Sequence, residues 1–325
     1  MDVRVTPVTM SDLPGLRFPG DQPWPQRNPF VTPAWLTAWW TYFGRNHRPL
    51  ILRVDVRGRM AGVAPLMVQN GTARFMGSED LCDHGDFPSN PFHREVFFSA
   101  LLRHLKDMGV HRLMLASVRP DSAVLRWIVP AAHAAGCRVS VLPKGVSMEM
   151  GLPASWEAYL GALEGKQRHE VRRKLRRASE AGRMTLRTVQ HAAEASAGMD
   201  GFLRLFRRSR PDKRRFLTPE REAFFRALAD ELSRAGMLRL NLIEIDNRPA
   251  AATFCVHLGN TTYLYNSGFD PVFRDISIGI VSKLMSIRES IENGFEVYDF
   301  LNGTERYKYR LGGKEVSLSS CVVEW

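Results

Sequence analysis

Arg274-Asp275-Ile276-Ser277-Ile278-Gly279 opens directly into a predicted helix from Ile280 to Glu292. The first turn of a helix carries backbone N–H groups without intrahelical partners, and it is the positive end of the helix dipole. A loop of small residues at such a point can therefore hold phosphate groups. We interpret this hexapeptide as a candidate phosphate-binding loop.

The elements around the loop have a definite order, which is more informative than the loop itself. Met237 to Gly313 reads as strand, turn, strand, strand, loop, helix, strand and short helix. One strand, Thr261 to Ser267, leads towards the loop, and another, Glu296 to Phe300, follows the helix. The pattern predicts an α/β unit with the loop beside two strands.

The first half of the chain shows a similar succession of helix, hairpin, strand, helix and strand. Its helix Ala34 to Phe43 has Thr32 as a predicted N-cap and Pro33 at the first helical position. We therefore predict a tandem duplication with a boundary near Pro143 to Pro153. The predicted domains are residues 1–148 and 149–325.

The bulk composition is that of a globular protein. The chain has 325 residues, of which 44% are hydrophobic and 24% charged. No apolar run approaches the roughly 18 residues of a membrane span, and Met1 to Gly15 has no apolar core of a secretion signal. The four cysteines form no Cys-x-x-Cys pair. These features favour a cytoplasmic enzyme with reduced thiols.

The positive charge is concentrated in one segment. The formal net charge is +11, and Lys166 to Arg215 contains 16 basic and 5 acidic residues, which account for all of it. Such a field attracts anionic groups, including phosphates, anionic sugars, lipid head groups and RNA. A solvated helical face combined with a flexible loop explains the same pattern without any ligand.

Three stretches of the second half resemble a known family. They are Lys166 to Leu175, Tyr265 to Asp270, and Gly294 to Lys308, where a strand ending in Asp-Phe-x-x-Gly is followed by Tyr-Lys. Together they resemble the GNAT acyltransferase domain of the cellulose-biosynthesis-type acetyltransferases, over roughly Pro153 to Trp325. This subgroup is related to the Fem-type peptidyltransferases. The resemblance implies an α/β fold of tandem GNAT-like domains, each a mixed, mostly antiparallel sheet flanked by helices.

The resemblance also implies a site for acetyl-CoA or another acyl-CoA as co-substrate, without a metal. In the family the loop reads Arg/Gln-x-x-Gly-x-Gly/Ala and holds the CoA pyrophosphate. Arg274 and Gly279 match this pattern, and Ser277 replaces its first glycine. The residues expected nearest the thioester lie on the strand that comes before the loop, or directly after it. They are Asn266, Ser267 and Gly268.

The acidic and tyrosine residues at the C-terminal end of the next strand and just after it are the candidate catalytic groups. Asp299 is the first candidate for a base or an acceptor anchor, and Glu305 is a weaker alternative base. Asp299 could instead cap the following turn or pair with Lys308. Tyr307 matches the position from which a tyrosine protonates the CoA thiolate, and a packing tyrosine with a hydrogen-bonded hydroxyl is the alternative. Lys308 could hold a carboxylate or phosphate of the substrate.

The basic segment is predicted to bind the acceptor. Arg172 and Arg176 represent its helix, and residues 204–215 are expected to form a mobile loop that closes over substrate. The expected acceptor is a small molecule, glycan or peptide, and an anionic membrane surface is a further partner to consider. On this interpretation residues 1–148 are a degenerate domain on the acceptor side, and residues 149–325 bind acyl-CoA.

Three functional hypotheses remain open. The first is an acyl-CoA-dependent N- or O-acyltransferase acting by direct transfer, in the cytoplasm or at the inner membrane face, in polysaccharide or cell-envelope biosynthesis. The second is a Fem-type transferase that uses aminoacyl-tRNA, the only case in which nucleic acid is expected. The third is a non-catalytic GNAT-like docking module. The sequence has no Gly-x-Ser-x-Gly elbow, no His-Glu-x-x-His helix and no lysine-bearing phosphate loop.

Overall fold

The computed structural model describes residues 2–18 and 28–325 and divides into two compact units. Unit 1 comprises Met1–Val146 with Val316–Trp325, and unit 2 comprises Ser147–Glu315. The sequence-based division at residue 148 assigned the last ten residues to the second half. The structure places them in unit 1, because Cys321 and Val323 are part of its hydrophobic core. The roles predicted for the two halves stay predictions.

Unit 1 begins with a strand and a helix whose start the sequence predicted. Thr32 accepts the backbone N–H of Trp35 at 3.4 Å, and Pro33 is the first helical residue. The elements follow in chain order: β1 (Val3–Val8), α1 (Pro33–Phe43), β2 (Arg48–Val56), β3 (Arg59–Gln69), β4 (Thr72–Phe75), α2 (Arg94–Asp107), β5 (Arg112–Val118), α3 (Val129–Ala134) and the first part of β6 (Arg138–Gly151).

Unit 2 starts within β6 and is richer in helices. Its elements are α4 (Trp156–Ala162), α5 (Gly165–Glu180), β7 (Met184–Val189), α6 (Ala192–Ser209), α7 (Pro211–Phe216), α8 (Pro219–Arg234), β8 (Leu238–Ile245), β9 (Arg248–Leu258), β10 (Thr261–Phe269), α9 (Ile278–Glu292), β11 (Val297–Asn302), α10 (Arg306–Arg310) and the start of β12 (Lys314–Glu324). From Val316 onward β12 belongs to unit 1.

The strands of each unit are mostly antiparallel, with one parallel pair. In unit 1 the order is β1-β2-β3-β4-β5-β12, and only β4 and β5 are parallel. In unit 2 the order is β6-β11-β10-β9-β8-β7, and only β10 and β11 are parallel. Helices flank both sets of strands. The predicted class, a mixed and mostly antiparallel sheet with helices, is therefore confirmed.

An aromatic layer joins the helices α6 and α8 to the strands of unit 2. The Phe202 and Phe206 rings of α6 contact Phe225 of α8, and Phe202 also meets Phe254 of β9 at 5.6 Å between ring centroids. These rings are almost completely buried. Because such rings bury large apolar areas, they hold α6 firmly against β9 and β10.

The structure corrects one expectation about the basic segment. Residues 204–215 are not an open loop: α6 continues to Ser209, and α7 begins at Pro211. Proline is favoured at the first position of a helix because its missing N–H would have no intrahelical partner there. The described part of the chain has no helix long and apolar enough to cross a membrane.

Candidate active site

An opening lies between β10 and β11 in unit 2. The two strands form three parallel pairs, ending with Tyr263 and Asp299. Next, β10 has a bulge at Tyr265, because its pairing with β9 shifts between Leu264 and Asn266. A bulge bends a strand, and the rest of β10, all of it described, pairs with β9 alone. The residues from Asn266 onward therefore line an opening in the sheet.

The candidate phosphate-binding loop ends at the start of α9, which begins at Ile278 instead of the predicted Ile280. Ser277 has φ 57° and ψ 37°, and its N–H donates to the carbonyl of Arg274 at 2.8 Å. Glycine adopts this left-handed conformation most easily, in agreement with the glycine that the family pattern has at the position of Ser277. Arg274 is exposed on the same turn.

Lys283 reaches from α9 towards the opening. Its ammonium donates to the hydroxyl of Ser267 at 3.0 Å and to the carbonyl of Gly279 at 2.8 Å. It also lies 5.1 Å from the centre of the Tyr307 ring. Lys283 is only 6% exposed, and burial, assisted by the nearby Lys213 cation, lowers the pKa of Lys283 to about 7. An amine with such a pKa exchanges protons readily near neutral pH.

A second lysine approaches the same serine from α7. The Lys213 ammonium donates to the main-chain carbonyl of Ser267 and lies 4.8 Å from the centre of the Phe206 ring. Burial lowers the pKa of Lys213 to about 8, with a further contribution from Arg210. Two cations from different helices thus meet at one residue of β10.

Neither lysine was among the site residues predicted from the sequence. Lys283 had a visible signal, since it interrupts the apolar residues Val281 and Leu284 in the first turns of a helix. Lys213 had none, because it is one of many basic residues in its segment. Their convergence depends on the bend of β10, which a single sequence does not reveal.

Tyr307 and Glu305 lie at the start of α10, close to the two lysines. The Tyr307 ring packs edge-on against Phe300, with centroids 6.4 Å apart. Burial raises the pKa of Tyr307 above its ordinary value, so the phenol stays protonated and able to donate. Glu305 is half-exposed, and its carboxylate pairs with the ammonium of Lys308 at 3.0 Å.

Asp299 is buried in the middle of β11, where it makes structural hydrogen bonds. Its carboxylate accepts the N–H of Leu301 at 2.7 Å and the hydroxyl of Ser147 at 3.4 Å. Leu301 has φ 61°, a strained conformation for a branched side chain. The contact corresponds to the turn-capping alternative, and a role for Asp299 in proton transfer stays a prediction.

Lys308 is also buried and holds the connection from β11 to α10. Its ammonium donates to the carbonyls of Leu301 at 3.0 Å and Gly303 at 3.3 Å, and to that of Asn302. These contacts occupy the donors of the ammonium. The predicted contact between Lys308 and substrate stays a prediction.

The other predicted residues of β10 differ in their surroundings. Asn266 and Ser267 are partly buried at the opening. At Gly268 the backbone of α6 approaches so closely that a Cβ would lie 2.3 Å from the nitrogen of Phe206. The absence of a side chain there allows α6 to pack on β10.

The basic helix α5 presents two different surfaces. Arg172 and Arg176 are exposed, and their nearest carboxylates are Glu157 at 3.7 Å and Glu180 at 3.5 Å. Other residues of α5 line a cavity of about 420 Å³ against α9 and α10. Its lining includes Lys166, Lys174, Ile280, Tyr307 and Arg310. Three cationic side chains, Lys166, Lys174 and Arg310, thus line the same cavity as Ile280 in the first turn of α9.

Unit 1 repeats the opening of unit 2. The strands β4 and β5 form three parallel pairs, ending with Arg74 and Met114. A cavity of about 350 Å³ lies beyond these pairs. Its lining includes Met76, which comes after the last paired residue of β4, Ser117, which comes after that of β5, and Trp39. In residues 2–18 and 28–325 no group of three His, Cys, Asp or Glu side chains is placed to hold a metal ion.

Residues 165–309 match the family model described as "Acetyltransferase (GNAT) domain". This segment runs from the start of α5 to α10 and includes the opening, the loop and both buried lysines. None of the curated proteins compared matches the sequence.

Solved structures with the same fold have little sequence identity with this chain. FemX has 13% identity and a TM-score of 0.66, with 98% of this chain and 96% of FemX covered. A conserved protein of unknown function from Bacteroides thetaiotaomicron has 12% identity and a TM-score of 0.59, with both chains fully covered. The C-terminal DUF2156 domain of a candidate lysylphosphatidylglycerol synthetase from Agrobacterium fabrum has 12% identity and a TM-score of 0.55, with 81% and 80% covered.

These likenesses concern the fold, and the family match identifies the domain within it. The match spans the parallel pair β10 and β11 and the loop that opens α9. The predicted mixed, mostly antiparallel α/β fold is confirmed, and FemX shares it over nearly the whole chain. Residues 165–309 thus match a GNAT-type acetyltransferase domain, and the protein is an acyltransferase.

Proposed function

We propose that the protein transfers an acyl group from acetyl-CoA or another acyl-CoA to an amine or hydroxyl of a small-molecule, glycan or peptide acceptor. The observation that carries the proposal is the position of the opening between β10 and β11 beside the start of α9. A phosphate-bearing donor held at that helix start can direct its acyl group towards Ser267 and Lys283.

The residues around the start of α9 fit a diphosphate. The first-turn N–H groups of α9 supply donors, Ser277 gives the turn its left-handed conformation, and Arg274 provides an exposed cation. Lys166 and Lys174 add positive charge in the adjoining cavity. Acyl-CoA, when bound, supplies an activated thioester. On this proposal Arg274, Ser277 and Gly279 hold its diphosphate.

The residues at the opening can carry out the proton transfers of acyl transfer. The family resemblance assigns Asn266, Ser267 and Gly268 to the neighbourhood of the thioester, Asp299 or Glu305 to the base, and Tyr307 to the acid. Burial raises the pKa of Tyr307, so its phenol is protonated at neutral pH and can donate a hydrogen bond to the leaving thiolate. On this proposal the Lys213 cation stabilises the negative charge that develops on the acyl carbonyl, an effect that is strong in a dry site.

The acceptor side is assigned to the exposed face of the basic segment and to unit 1. Arg172 and Arg176 would attract an anionic acceptor, and the cavity of unit 1 offers aromatic walls and charged groups, among them Trp39, Arg74 and Lys144. The resemblance to cellulose-biosynthesis-type acetyltransferases supports a glycan or cell-envelope acceptor. A cytoplasmic location, including the inner membrane face, belongs to this proposal.

A second candidate function is aminoacyl transfer from tRNA. It is favoured by the coverage of FemX, which extends over nearly the whole chain, and by the +11 charge concentrated in Lys166 to Arg215. Such a segment could track an RNA backbone, with binding that weakens steeply as salt increases. The family match favours either transferase over a docking module without activity.

Calorimetric titration with acetyl-CoA and longer acyl-CoAs tests the donor directly. Binding at one site per chain is expected, and Arg274→Ala should weaken it by roughly 1–3 kcal/mol, the scale of a lost charge-assisted hydrogen bond. Arg288→Ala is the matched control, because Arg288 is exposed towards the other end of α9 and pairs with Glu292. If no acyl-CoA binds at high concentration while aminoacyl-tRNA does, the second function replaces the first.

A further inference from the structure

Ser267 and Lys283 form a close pair at the opening of unit 2. The Lys283 Nζ lies 3.0 Å from the Ser267 Oγ, and the serine is on the part of β10 that pairs with β9 alone. Ser267 is partly buried, whereas Lys283 is nearly inaccessible. The hydroxyl therefore faces the site, and the amine stands behind it.

The partners of Lys283 are unusual for a buried ammonium. Both of its hydrogen-bond acceptors, the Ser267 hydroxyl and the Gly279 carbonyl, are neutral. In the described part of the chain it makes no ion pair with a carboxylate. A buried cation without a counter-charge is costly, and the cost is relieved when the amine loses its proton.

The charged and titratable groups around Lys283 act in opposite directions. Burial has the largest effect on its pKa, and cations and acids on neighbouring elements modify it: Lys213, Cys255, Glu305 and Lys308. The net result is a pKa of about 7. Near neutral pH a large share of the molecules thus carries a neutral amine that can accept a proton from Ser267.

We propose that Ser267 is a nucleophile and Lys283 its base, so that the acyl group rests on Ser267 Oγ before it reaches the acceptor. The inference rests on the proposed acyl-CoA-dependent function, and it replaces direct transfer with two steps. A serine hydroxyl is a weak nucleophile until a neighbouring base removes its proton, and a lysine is a known partner of serine in this role.

The two steps balance without a further reactant. In the first, Lys283 takes the hydroxyl proton, the Ser267 oxygen bonds to the acyl carbon, and the carbon–sulfur bond breaks. The proton then passes from Lys283 to the leaving thiolate. In the second, the acceptor amine or hydroxyl gives its proton to Lys283 and attacks the acyl carbon. The serine–acyl bond breaks, and Lys283 returns the proton to Ser267.

Lys213 is a positioning residue in this scheme. It holds the main-chain carbonyl of Ser267 from α7, on the same residue whose hydroxyl Lys283 engages. Lys213→Met should therefore slow acylation of Ser267 without changing where the acyl group is found. The substitution should lower the rate of acylation, and the affinity for acyl-CoA should stay near the wild-type value.

The test uses the full chain with acetyl-CoA and no acceptor. We expect a burst of free CoA approaching one equivalent per chain and an intact mass increased by one acetyl group, which peptide mapping places on Ser267. Ser267→Ala should abolish the adduct. Lys283→Met should slow its formation by about 100-fold or more, the contribution of a positioned base. Calorimetry on each variant checks that acetyl-CoA still binds.

Ser282→Ala is the matched control, because Ser282 is buried next to Lys283 and donates to the same Gly279 carbonyl. It should keep the wild-type burst. Wild-type protein that binds acetyl-CoA but gives neither burst nor adduct would overturn the dyad and leave the proposed function standing. An adduct that persists in Ser267→Ala would overturn it as well. Absence of acyl-CoA binding would remove both proposals.

Discussion

The Asp299 carboxylate accepts the N–H of Leu301 at 2.7 Å and so stabilises a residue with φ 61° at the end of β11. This contact separates two possible roles of Asp299. Asp299→Asn keeps an acceptor oxygen for Leu301 but removes the charge. Asp299→Ala removes both, and should cost about 1–3 kcal/mol in the free energy of unfolding, since a buried donor loses its partner.

We expect Asp299→Asn to lower turnover much more than acyl-CoA affinity, because the carboxylate is predicted to act on the acceptor or a proton. Steady-state kinetics and urea unfolding on both variants provide the measurement. If the Asn variant is fully active and only the Ala variant is unstable, Asp299 has a structural role alone. Glu305 would then be the next candidate base.

The two surfaces of α5 should respond differently to charge reversal. Arg172→Glu with Arg176→Glu changes the exposed surface, and should raise the acceptor KM and reduce its salt dependence, with little effect on acetyl-CoA affinity. Lys166→Glu with Lys174→Glu changes the lining of the cavity beside α9, and should weaken acetyl-CoA binding. Loss of CoA binding in the arginine pair alone would show that the acceptor assignment is wrong.

The stability of unit 2 should depend on pH through Lys283. Burial lowers its pKa from 10.5 to about 7, so between these values the unfolded state binds more protons than the folded state. The free energy of unfolding therefore rises with pH across this window, and the penalty of the buried cation is fully present below pH 7. Between pH 7 and 9 the wild type should gain about 2 kcal/mol more than Lys283→Met.

Urea unfolding of both proteins at the two pH values is the measurement. Lys213 also has a lowered pKa, so the Lys283→Met protein should keep part of the pH dependence. Equal slopes in the two proteins would show that Lys283 keeps its proton in the folded state, and that result would also count against its role as a base.

Gly268 should tolerate no side chain. A Cβ at this position would lie 2.3 Å from the nitrogen of Phe206, and backbone atoms of α6 cannot move aside cheaply. Gly268→Ala should lower the free energy of unfolding by about 1–3 kcal/mol. Gly161→Ala is the control, since nothing lies within 4 Å of a Cβ there, and alanine in helix α4 should stabilise by about 0.5–1 kcal/mol. Equal stabilities would exclude close packing as the reason for Gly268.

The order of elements was predictable from the sequence because each element has its own local signal. Thr32 and Pro33 at the start of α1, and Gly236 after α8, are terminal residues whose conformations are set by their neighbours in the chain. The helix α7 was not predicted, since Pro211 within a basic run reads equally well as a loop. The boundary of α9 was missed because Ser277, and not Gly279, ends the loop.

The candidate site was only partly predictable for a different reason. The loop and the residues Ser267 and Tyr307 follow a linear motif, and the sequence alone locates them. The contacts of Lys213 and Lys283 with Ser267 depend on the bend of β10 at Tyr265. Contacts of this kind join residues far apart in sequence, and no local pattern encodes them.

The final strand has a consequence for biosynthesis. The residues of β12 from Val316 onward pair with β5 in unit 1, in register from Ser319 opposite Val118 to Glu324 opposite Arg112. During translation the edge of β5 therefore has no β12 partner until all of unit 2 has been synthesised. An unpaired strand edge is prone to association with other chains. The edge of β5 in nascent unit 1 is therefore open to such association until β12 has been made.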